Sequence, residues 1–372
     1  MLRPAPSLRL APSLRLALPL ALTATLAGLL PLAGSGAQAA AAPAVRHVFV
    51  INLENKGYDE TFGPSSPATY LSRDLRAKGQ LLTQFYGTAH NSLPNYIAQV
   101  SGQGPNPQTQ GDCQVYSDFV ATGSVAPEQA VGSGCVYPGQ VKTVADQLRA
   151  KGLSWKGYLE DIGTPCRHPQ LGTPDDTQKA KPDDQYAARH NPFVYFHSIV
   201  DSPACAANDL PLDRLAADLT SVATTPNLSY ITPNLCHDGH DAPCANGEPG
   251  GLVSADAWLG TWVPRILASP AFKKDGLLIV TFDESDNKSA DSAAACCGEG
   301  PGPNAPAPGG YGMGGGRVGA VVVSPFVAPG TWNNTAYNHY GLLRTVEDTF
   351  GLTPLGYAST AHGFGLDVWS AR

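Results

Sequence analysis

A serine lies between a predicted strand and a predicted helix, in the stretch HNSLPNY at residues 90–96. The preceding GQLLTQFYGTA is typical of a short strand that enters a turn, and NYIAQVSG predicts a short helix ended by Gly102. Pro94 favours the first helical turn. Ser92 would then stand at the helix N-terminus, where N–H groups and the helix dipole favour an anion. The hydroxyl is therefore either a helix cap or a nucleophile.

Acidic and amide side chains follow other predicted strands. HVFVINLEN runs into Glu54 and Asn55, DGLLIVTFDES runs into Asp283 and Glu284, and LSYITPN leads to HDGHD at 237–241. Ligands bind at the carboxyl ends of strands in open α/β sheets, so we expect these side chains to lie together. Hard oxygen donors suit Mg²⁺, Ca²⁺ or Mn²⁺. The pattern predicts a divalent metal ion beside a serine nucleophile, although each pair alone is equally typical of a polar turn.

The elements that position these residues alternate along the chain. The predicted elements are strands at 47–55, 228–234, 275–285 and 317–326, helices at 254–269 and 340–352, and a helix followed by a strand within 143–161. This alternation predicts one α/β domain with a mostly parallel central sheet and helices on both faces. The Gly-, Pro- and Ser-rich stretches 103–140 and 286–316 are predicted to be loops.

The first 39 residues predict a secretory signal peptide. Arg3, Arg9 and Arg15 precede an uncharged apolar run that ends in the small-residue site Ala37-Gln38-Ala39. A retained membrane anchor is the alternative, but the run is short for a membrane-spanning helix. Cleavage after Ala39 would leave residues 40–372 as a single domain of a secreted protein, without a stable membrane anchor.

Charge excludes some classes of partner. The chain of 372 residues has a net charge of −7, which becomes −10 without the three arginines of the leader. An acidic chain without a basic cluster argues against nucleic acid as a partner. It also argues against long-range attraction to anionic lipid. The oligomeric state is left open by the sequence.

Eight cysteines in an exported chain predict up to four disulfides. Their order suggests the pairs Cys113–Cys135 and Cys166–Cys205. Cys296 and Cys297 are neighbours, so we expect them to bond to other cysteines rather than to each other. An alternative use exists for the spacing Cys-His-x-x-His-x-x-x-Cys at 236–244, which mimics a zinc site, but disulfide bonding is favoured in this compartment.

Seven motifs together resemble a known family. They are INLENKGYDETFG, HNSLPNYIAQVSG, HNPFVYF, HDGHD, ADAWL, LLIVTFDESD and NHYGLLRTVED, in this order. The chain resembles the phosphoesterase family, which contains phosphocholine-type phospholipases C and secreted acid phosphatases, over residues 47–370. It is most similar to the short secreted acid phosphatases, some of which act on phosphoinositides. The resemblance implies an alkaline-phosphatase-like fold.

The resemblance also implies roles for individual residues. Metal ligands would be Glu54, Asn55, Ser92, Asp283 and Glu284, and Ser92 would also be the nucleophile. The catalytic histidines would be His240, which contacts phosphate or protonates the leaving group, together with His90 and His339. Substrate contacts would come from Asn95, Asp241 and His190.

The sequence therefore predicts a metal-assisted phosphatase that acts on a small-molecule or lipid-headgroup monoester. The first alternative is a phospholipase C, which would use the same site on a phosphodiester. The second is a non-catalytic exported binding protein on the same fold. The intact set of metal ligands and the serine argues against that second alternative.

Overall fold

The computed structural model describes residues 44–286, 288–297, 299, 301–307, 314–365 and 368–369. The signal peptide predicted at 1–39 lies outside these residues. The described part of the chain falls within one compact unit, residues 41–372.

Strands occur throughout the described residues. They are β1 His47–Leu53, β2 Gln80–Leu82, β3 Phe85–Tyr86, β4 Val115–Tyr116, β5 Val120–Val125, β6 Gln129–Ser133, β7 Trp155–Leu159, β8 Thr173–Pro174, β9 Asp209–Pro211, β10 Leu228–Thr232, β11 Gly276–Phe282, β12 Ala320–Val323, β13 Thr331–Asn333 and β14 Tyr337–Asn338.

Helices of different lengths connect the strands. The α-helices are α1 Tyr58–Phe62, α2 Ser92–Ser101, α3 Val144–Ala150, α4 His197–Val200, α5 Ala204–Asn208, α6 Arg214–Asp218, α7 Gly251–Ala268, α8 Pro270–Asp275 and α9 His339–Phe350. A π-helix spans Tyr70–Leu75, and 3₁₀ turns span Arg76–Lys78, Thr109–Gly111, Ala188–His190, Pro192–Tyr195 and Gly356–Ser359. None of the described helices is long and apolar enough to cross a membrane.

Eight strands form the central sheet, in the order β13-β2-β12-β11-β1-β10-β7-β9. All neighbouring pairs are parallel except the two that involve β12. The prediction of an α/β fold with a mostly parallel sheet is confirmed. β12 runs antiparallel to its neighbour β11, and the described part of the connection between them contains no crossover helix of the kind that parallel neighbours need.

The central strands are buried along their whole length. Every residue of β1 and β11 is buried, as expected where helices cover both faces of a sheet. Asn52 of β1 accepts a hydrogen bond from Gln99 of α2, whereas the Phe49 ring lies 6.4 Å from that of Phe272 in α8. Because side chains 49 and 52 point to opposite sides of the strand, α2 and α8 cover opposite faces.

The predicted loop 103–140 contains three strands, which is a correction to the sequence analysis. β5 and β6 form an antiparallel hairpin in which every residue of β5 is exposed, and Val120 keeps 68% of its surface in solvent. The hairpin was missed because its first strand has no buried face and hence no alternation of apolar and polar residues.

Four disulfides are present and no cysteine is free. The predicted pairs Cys113–Cys135 and Cys166–Cys205 are confirmed. The prediction for Cys296 and Cys297 is wrong, because these neighbours bond to each other. The two remaining cysteines form the bond Cys236–Cys244, with Cα atoms 5.0 Å apart. Neither sulfur is then free to bind zinc, so the zinc alternative is also wrong.

Candidate active site

The carboxyl edge of the sheet brings the predicted metal ligands together. The Ser92 hydroxyl, on the first residue of α2, donates a hydrogen bond of 2.6 Å to Glu54 Oε2 at the end of β1. Beside β1, the end of β11 places Asp283 so that its Oδ1 accepts from the backbone N–H groups of Asn55 and Glu284, at 3.0 and 2.6 Å. Two adjacent parallel strands therefore bring Glu54 and Asp283 together at the same edge of the sheet.

Ser92 is not a helix cap. The cap position belongs to Asn91, and the hydroxyl bonds to Glu54 instead of a helical N–H group. Asp112 Oδ1 accepts from the Leu93 N–H at 2.9 Å, so a side chain already occupies part of the helix N-terminus. The cap interpretation is wrong, and the Leu93 N–H is not free for an anion. What remains is a buried hydroxyl directed at a buried carboxylate.

His190 lies between two carboxylates. Its Nε2 is 3.3 Å from Glu54 Oε2 and its Nδ1 is 3.3 Å from Asp238 Oδ2, and its ring stacks on Tyr96 with centroids 5.3 Å apart. Burial lowers the pKa of His190, so the ring is neutral near pH 7. Its predicted substrate contact stays a prediction, and the geometry favours a positioning role.

Asp238 is a buried acid that the sequence analysis did not assign to the site. Its Oδ1 accepts from the backbone N–H of His240 at 2.8 Å, and burial raises its pKa to about 7. The signal was available, because Asp238 belongs to the HDGHD motif that follows β10. The sequence did not indicate which member of that motif turns inward.

His90 holds Glu284 in place. Its Nδ1 is bonded to the Glu284 carboxylate, and its Nε2 lies 2.6 Å from the carbonyl oxygen of Ser292. Both ring nitrogens therefore contact protein acceptors. A catalytic role for His90 stays a prediction, while the contacts are those of a residue that orients Glu284.

His339, the first residue of α9, is fully buried behind the site. Its Nε2 donates to the backbone carbonyl oxygen of Asp283 at 2.5 Å, and its Nδ1 has no hydrogen-bond partner among the described residues. Burial lowers the pKa of His339 to about 4. A ring that is neutral at pH 5 and above does not suit a proton donor, whereas a free Nδ1 lone pair suits a metal ligand.

Asn95 stabilises the loop before the nucleophile. Its Oδ1 accepts from the backbone N–H groups of Thr88 and Ala89 at 2.8 and 3.0 Å, and its Nδ2 donates to the carbonyl oxygens of Ala89 and Asn91. Its predicted contact with substrate stays a prediction. The amide is fully buried and engaged, which favours a role in holding the loop that carries Ser92.

His240 is the exposed histidine of the site. Its Nδ1 is 2.7 Å from Asp241 Oδ1, and this hydrogen bond raises the pKa of His240. The Nε2 atom has no partner among the described residues. His240 lines a cavity of about 370 Å³ together with Asn55, Asn91 and Glu284. A protonated ring at the wall of this cavity can donate to a leaving group, and Asp241 orients it.

Three buried carboxylates each have one oxygen without a hydrogen bond among the described residues, which is the observation that bears on a metal ion. Glu54 Oε1, Asp238 Oδ2 and Asp283 Oδ2 are buried without a hydrogen bond in the part of the chain that the structure describes. Burial, and then the charges of Asp283 and Asp238, raise the pKa of Glu54; burial raises that of Asp283 to about 6. Uncompensated buried charges are costly, and a divalent cation would neutralise them. The oxygen-rich donor set fits such an ion.

Comparison with known proteins identifies similar sequences and structures. The model of the phosphoesterase family matches residues 65–353, well over half of the chain. The phosphatidylinositol-3-phosphatase of Mycobacterium tuberculosis is 25% identical over 334 residues, which are 90% of this chain and 86% of that protein. The phosphate-repressible acid phosphatase of Penicillium chrysogenum is 27% identical over 86% of this chain, but the match spans 65% of its own length, slightly less than two thirds.

Comparison with solved structures finds similarity at lower sequence identity. Ps i-CgsB, in complex with k-i-k-neocarrahexaose, superposes with a TM-score of 0.50 and 16% identity, covering 86% of this chain and 74% of that one. A protein in the alkaline phosphatase superfamily from Vibrio parahaemolyticus gives a TM-score of 0.46 at 14% identity, covering 89% of this chain and 73% of the other.

Proposed function

This chain belongs to the phosphoesterase family, and from this premise we propose that it is an acid phosphatase that hydrolyses phosphate monoesters with Ser92 as the nucleophile. The observation that carries the proposal is the 2.6 Å hydrogen bond from the Ser92 hydroxyl to Glu54, inside a group of buried carboxyl oxygens without partners. A nucleophilic serine needs a nearby proton acceptor, and Glu54 supplies one.

The first chemical step joins Ser92 to phosphorus. Oγ forms a bond to phosphorus as the bond to the ester oxygen breaks, and the hydroxyl proton passes to Glu54. His240 donates a proton to the departing alkoxide, which leaves as an alcohol. The raised pKa of His240 keeps more of the ring protonated under mildly acidic conditions. The product on the enzyme is a phosphoserine.

The second step releases phosphate. Water attacks the phosphoserine, and His240, which is now neutral, accepts a proton from that water. Breaking of the bond between phosphorus and Oγ restores the Ser92 hydroxyl with the proton held by Glu54. Each group returns to its starting state, so the sequence is a complete hydrolysis.

A divalent metal ion fits the same site. Glu54, Asn55, Ser92, Asp283 and Glu284 would hold it, and Mg²⁺, Ca²⁺ and Mn²⁺ match these donors. When bound, such an ion lowers the pKa of a hydroxyl and polarises a phosphoryl oxygen. The Oδ2 atom of Asp238, which lies 3.3 Å from His190 Nδ1, and the Nδ1 atom of His339 are additional donors without a hydrogen bond among the described residues.

Export is part of the proposal. The predicted cleavage after Ala39 would release residues 40–372 as a single domain, and four disulfides favour an oxidising compartment. The substrate would be a small phosphate monoester. The named activity of the mycobacterial relative adds a lipid headgroup monoester to the candidates.

Initial rates on a panel of phosphate monoesters and diesters, with and without a chelator, would test this function. We expect turnover of monoesters below pH 7 that the chelator abolishes and added metal restores. A higher kcat/KM for diesters than for monoesters would instead indicate a phospholipase C activity. Absence of turnover on every ester would indicate a binding protein. Ser92→Ala, purified in the same way, controls for a contaminating phosphatase.

A further inference from the structure

A second cavity adjoins the catalytic one. It has a volume of about 370 Å³, and its walls include Lys179, Arg189, His240 and Asp241. We call it the Arg189 pocket. His240 also lines the catalytic cavity beside Glu284. The two cavities therefore have the His240 side chain as a common wall.

The Arg189 guanidinium in this pocket is buried but incompletely paired. Its side chain is 6% exposed. It donates one hydrogen bond, from Nη1 to the Gln178 carbonyl oxygen at 3.2 Å, and its Nε lies 3.9 Å from Asp112 Oδ2. A guanidinium has five N–H donors, so most of them are unused by the described residues. These unused donors are available to an acceptor supplied by a ligand.

Asp112 forms an ion pair with this cation but accepts no hydrogen bond from it. Its other carboxylate oxygen, Oδ1, accepts from the Leu93 N–H at the start of α2. The 3.9 Å separation from Arg189 is too long for a hydrogen bond. Asp112 is thus committed to the helix that carries Ser92, and the guanidinium keeps donor capacity for another anion.

The charge of the pocket differs from that of the molecule. The chain carries a net charge of −7, yet the pocket walls hold Arg189 and Lys179 against the single acid Asp241. That acid is already hydrogen-bonded to His240. A cationic cavity in an acidic protein favours an anionic ligand locally while the rest of the surface does not.

We propose that the Arg189 pocket binds a second phosphate group of the substrate, so that the preferred substrates are phosphomonoesters carrying another phosphate. This inference rests on the proposed function, because the scissile phosphate would lie at Ser92 while the second one lies across His240. The planar guanidinium can donate two parallel hydrogen bonds to phosphate oxygens, and Lys179 adds a second positive charge. Either a soluble bisphosphate or a phosphoinositide headgroup would supply this chemistry.

Matched substrates test the proposal on the intact protein. Initial rates of phosphate release would be measured for glucose 1,6-bisphosphate and for glucose 6-phosphate. We expect kcat/KM to be at least about tenfold higher for the bisphosphate, mainly through a lower KM, because a charge-assisted contact is worth about one order of magnitude in binding. Equal kcat/KM values for the two sugars would overturn the proposal while leaving the phosphatase function intact.

Substitutions then assign the preference to the pocket. Arg189→Gln should lower the ratio of the two kcat/KM values at least about tenfold, and Arg189→Lys should recover part of it. Lys179→Gln should lower the ratio about threefold. Lys181→Gln is the matched control, because Lys181 is a nearby exposed lysine outside the pocket that pairs with Asp176 at 3.7 Å. It should change neither the ratio nor the basal rate.

The outcomes separate the sources of failure. Should Arg189→Gln not fold, as judged by circular dichroism, Lys179→Gln decides, because that side chain is exposed; an unchanged ratio then contradicts the proposal. No turnover of either sugar or of 4-nitrophenyl phosphate would contradict the proposed function itself. A further arm compares short-chain phosphatidylinositol 3-phosphate with its deacylated headgroup. Similar KM values for both support recognition of the anion, and a low KM only for the lipid opposes it.

Discussion

The two ends of α2 differ in whether the buried polar atoms around them have hydrogen-bond partners. At the first residue, Ser92 faces a group of buried carboxylates in which Glu54 Oε1 and Asp283 Oδ2 have no partner among the described residues. At the other end, Gln129 donates to the Gly102 carbonyl oxygen and accepts from the Gly104 N–H, at 2.9 and 2.7 Å. One end leaves polar atoms available, and the other uses them for structure.

The paired end also fixes the backbone. Gly102 has a φ of +67°, and a Cβ placed on it would lie 2.3 Å from the Leu355 carbonyl oxygen, so only glycine fits. Gln103 donates to the Glu128 carbonyl oxygen and accepts from the Ala130 N–H. The comparison teaches that unpaired buried polar atoms at one end of a helix indicate ligand binding when equivalent atoms at the other end are paired.

The largest expected effect is the loss of activity in Ser92→Ala. Activity should fall at least about 10³-fold, because the reaction loses its nucleophile. The melting temperature should stay within a few degrees of wild type, because the hydroxyl caps no helix N–H group. Acid-quenched wild type should carry phosphate on the peptide that contains Ser92, as mass spectrometry would show. Near-normal turnover in the variant would remove Ser92 from the mechanism. All activities should be compared at saturating metal.

Asp283→Asn comes next and tests the unpaired carboxylates as metal ligands. Metal content after dialysis and activity should fall together, each about 100-fold or more at limiting metal, while the fold is kept. Elemental analysis and circular dichroism measure the two quantities independently of turnover. A variant that retains stoichiometric metal after chelation would show that Asp283 is not a ligand. Ser101→Ala, at the paired end of α2, serves as the control that should retain metal.

Gln129→Met tests the paired end and should affect stability instead of activity. The change removes the acceptor of the Gly104 N–H and leaves that buried group unpaired, which costs about 2 kcal/mol. The melting temperature should fall by about 3 to 5 °C. The rate constant at 25 °C should be unchanged. A loss of activity as large as that of Ser92→Ala would break the distinction between the two ends.

The last expected effect is a change in the pH dependence of stability at Glu347 of α9, an exception at the paired end. Its Oε1 accepts from the Leu355 N–H, but its Oε2 is buried without a partner in the described structure. Burial raises the pKa of Glu347 to about 8, so the folded state holds the proton more tightly than the unfolded chain. This contribution to stability therefore falls as pH rises from about 4.5 to about 8.

Glu347→Gln should remove the pH dependence that Glu347 gives to the stability of the fold. The melting temperatures of variant and wild type should agree near pH 4.5, and the variant should melt increasingly higher than wild type as the pH rises to 8. Melting curves at four pH values measure the difference in melting temperature between variant and wild type. The contributions of other buried acids cancel in this difference. Parallel curves across this range would show that Glu347 is not the group responsible.

The parts of the molecule that the sequence predicted are those with a strong hydrophobic pattern. β1, β11 and α9 were found within a few residues of their ends because their apolar spacing is set by a buried face. The residues that directly follow β1 and β11 were therefore also correctly predicted to lie at the carboxyl edge of the sheet. The exposed strand β5 has no such face and was missed.

Residues on long loops could not be placed in the same way. Asp238 follows β10 by six positions. Arg189 and His190 lie on a 3₁₀ turn that is distant in sequence from every strand of the central sheet. The conformation of the loop brings their side chains to the site. A loop has no regular alternation of apolar residues from which its conformation could be predicted. For this reason the position of Arg189 beside the site could not be predicted, although the neighbouring HNPF motif was recognised.

The disulfides have a simple order whose consequence concerns assembly. The eight cysteines are joined in consecutive pairs along the chain, with separations of 22, 39, 8 and 1 residues. A chain that emerged N-terminus first into an oxidising compartment would therefore present both cysteines of one bond before either cysteine of the next. Oxidation in that order would yield the native set without rearrangement of mispaired bonds.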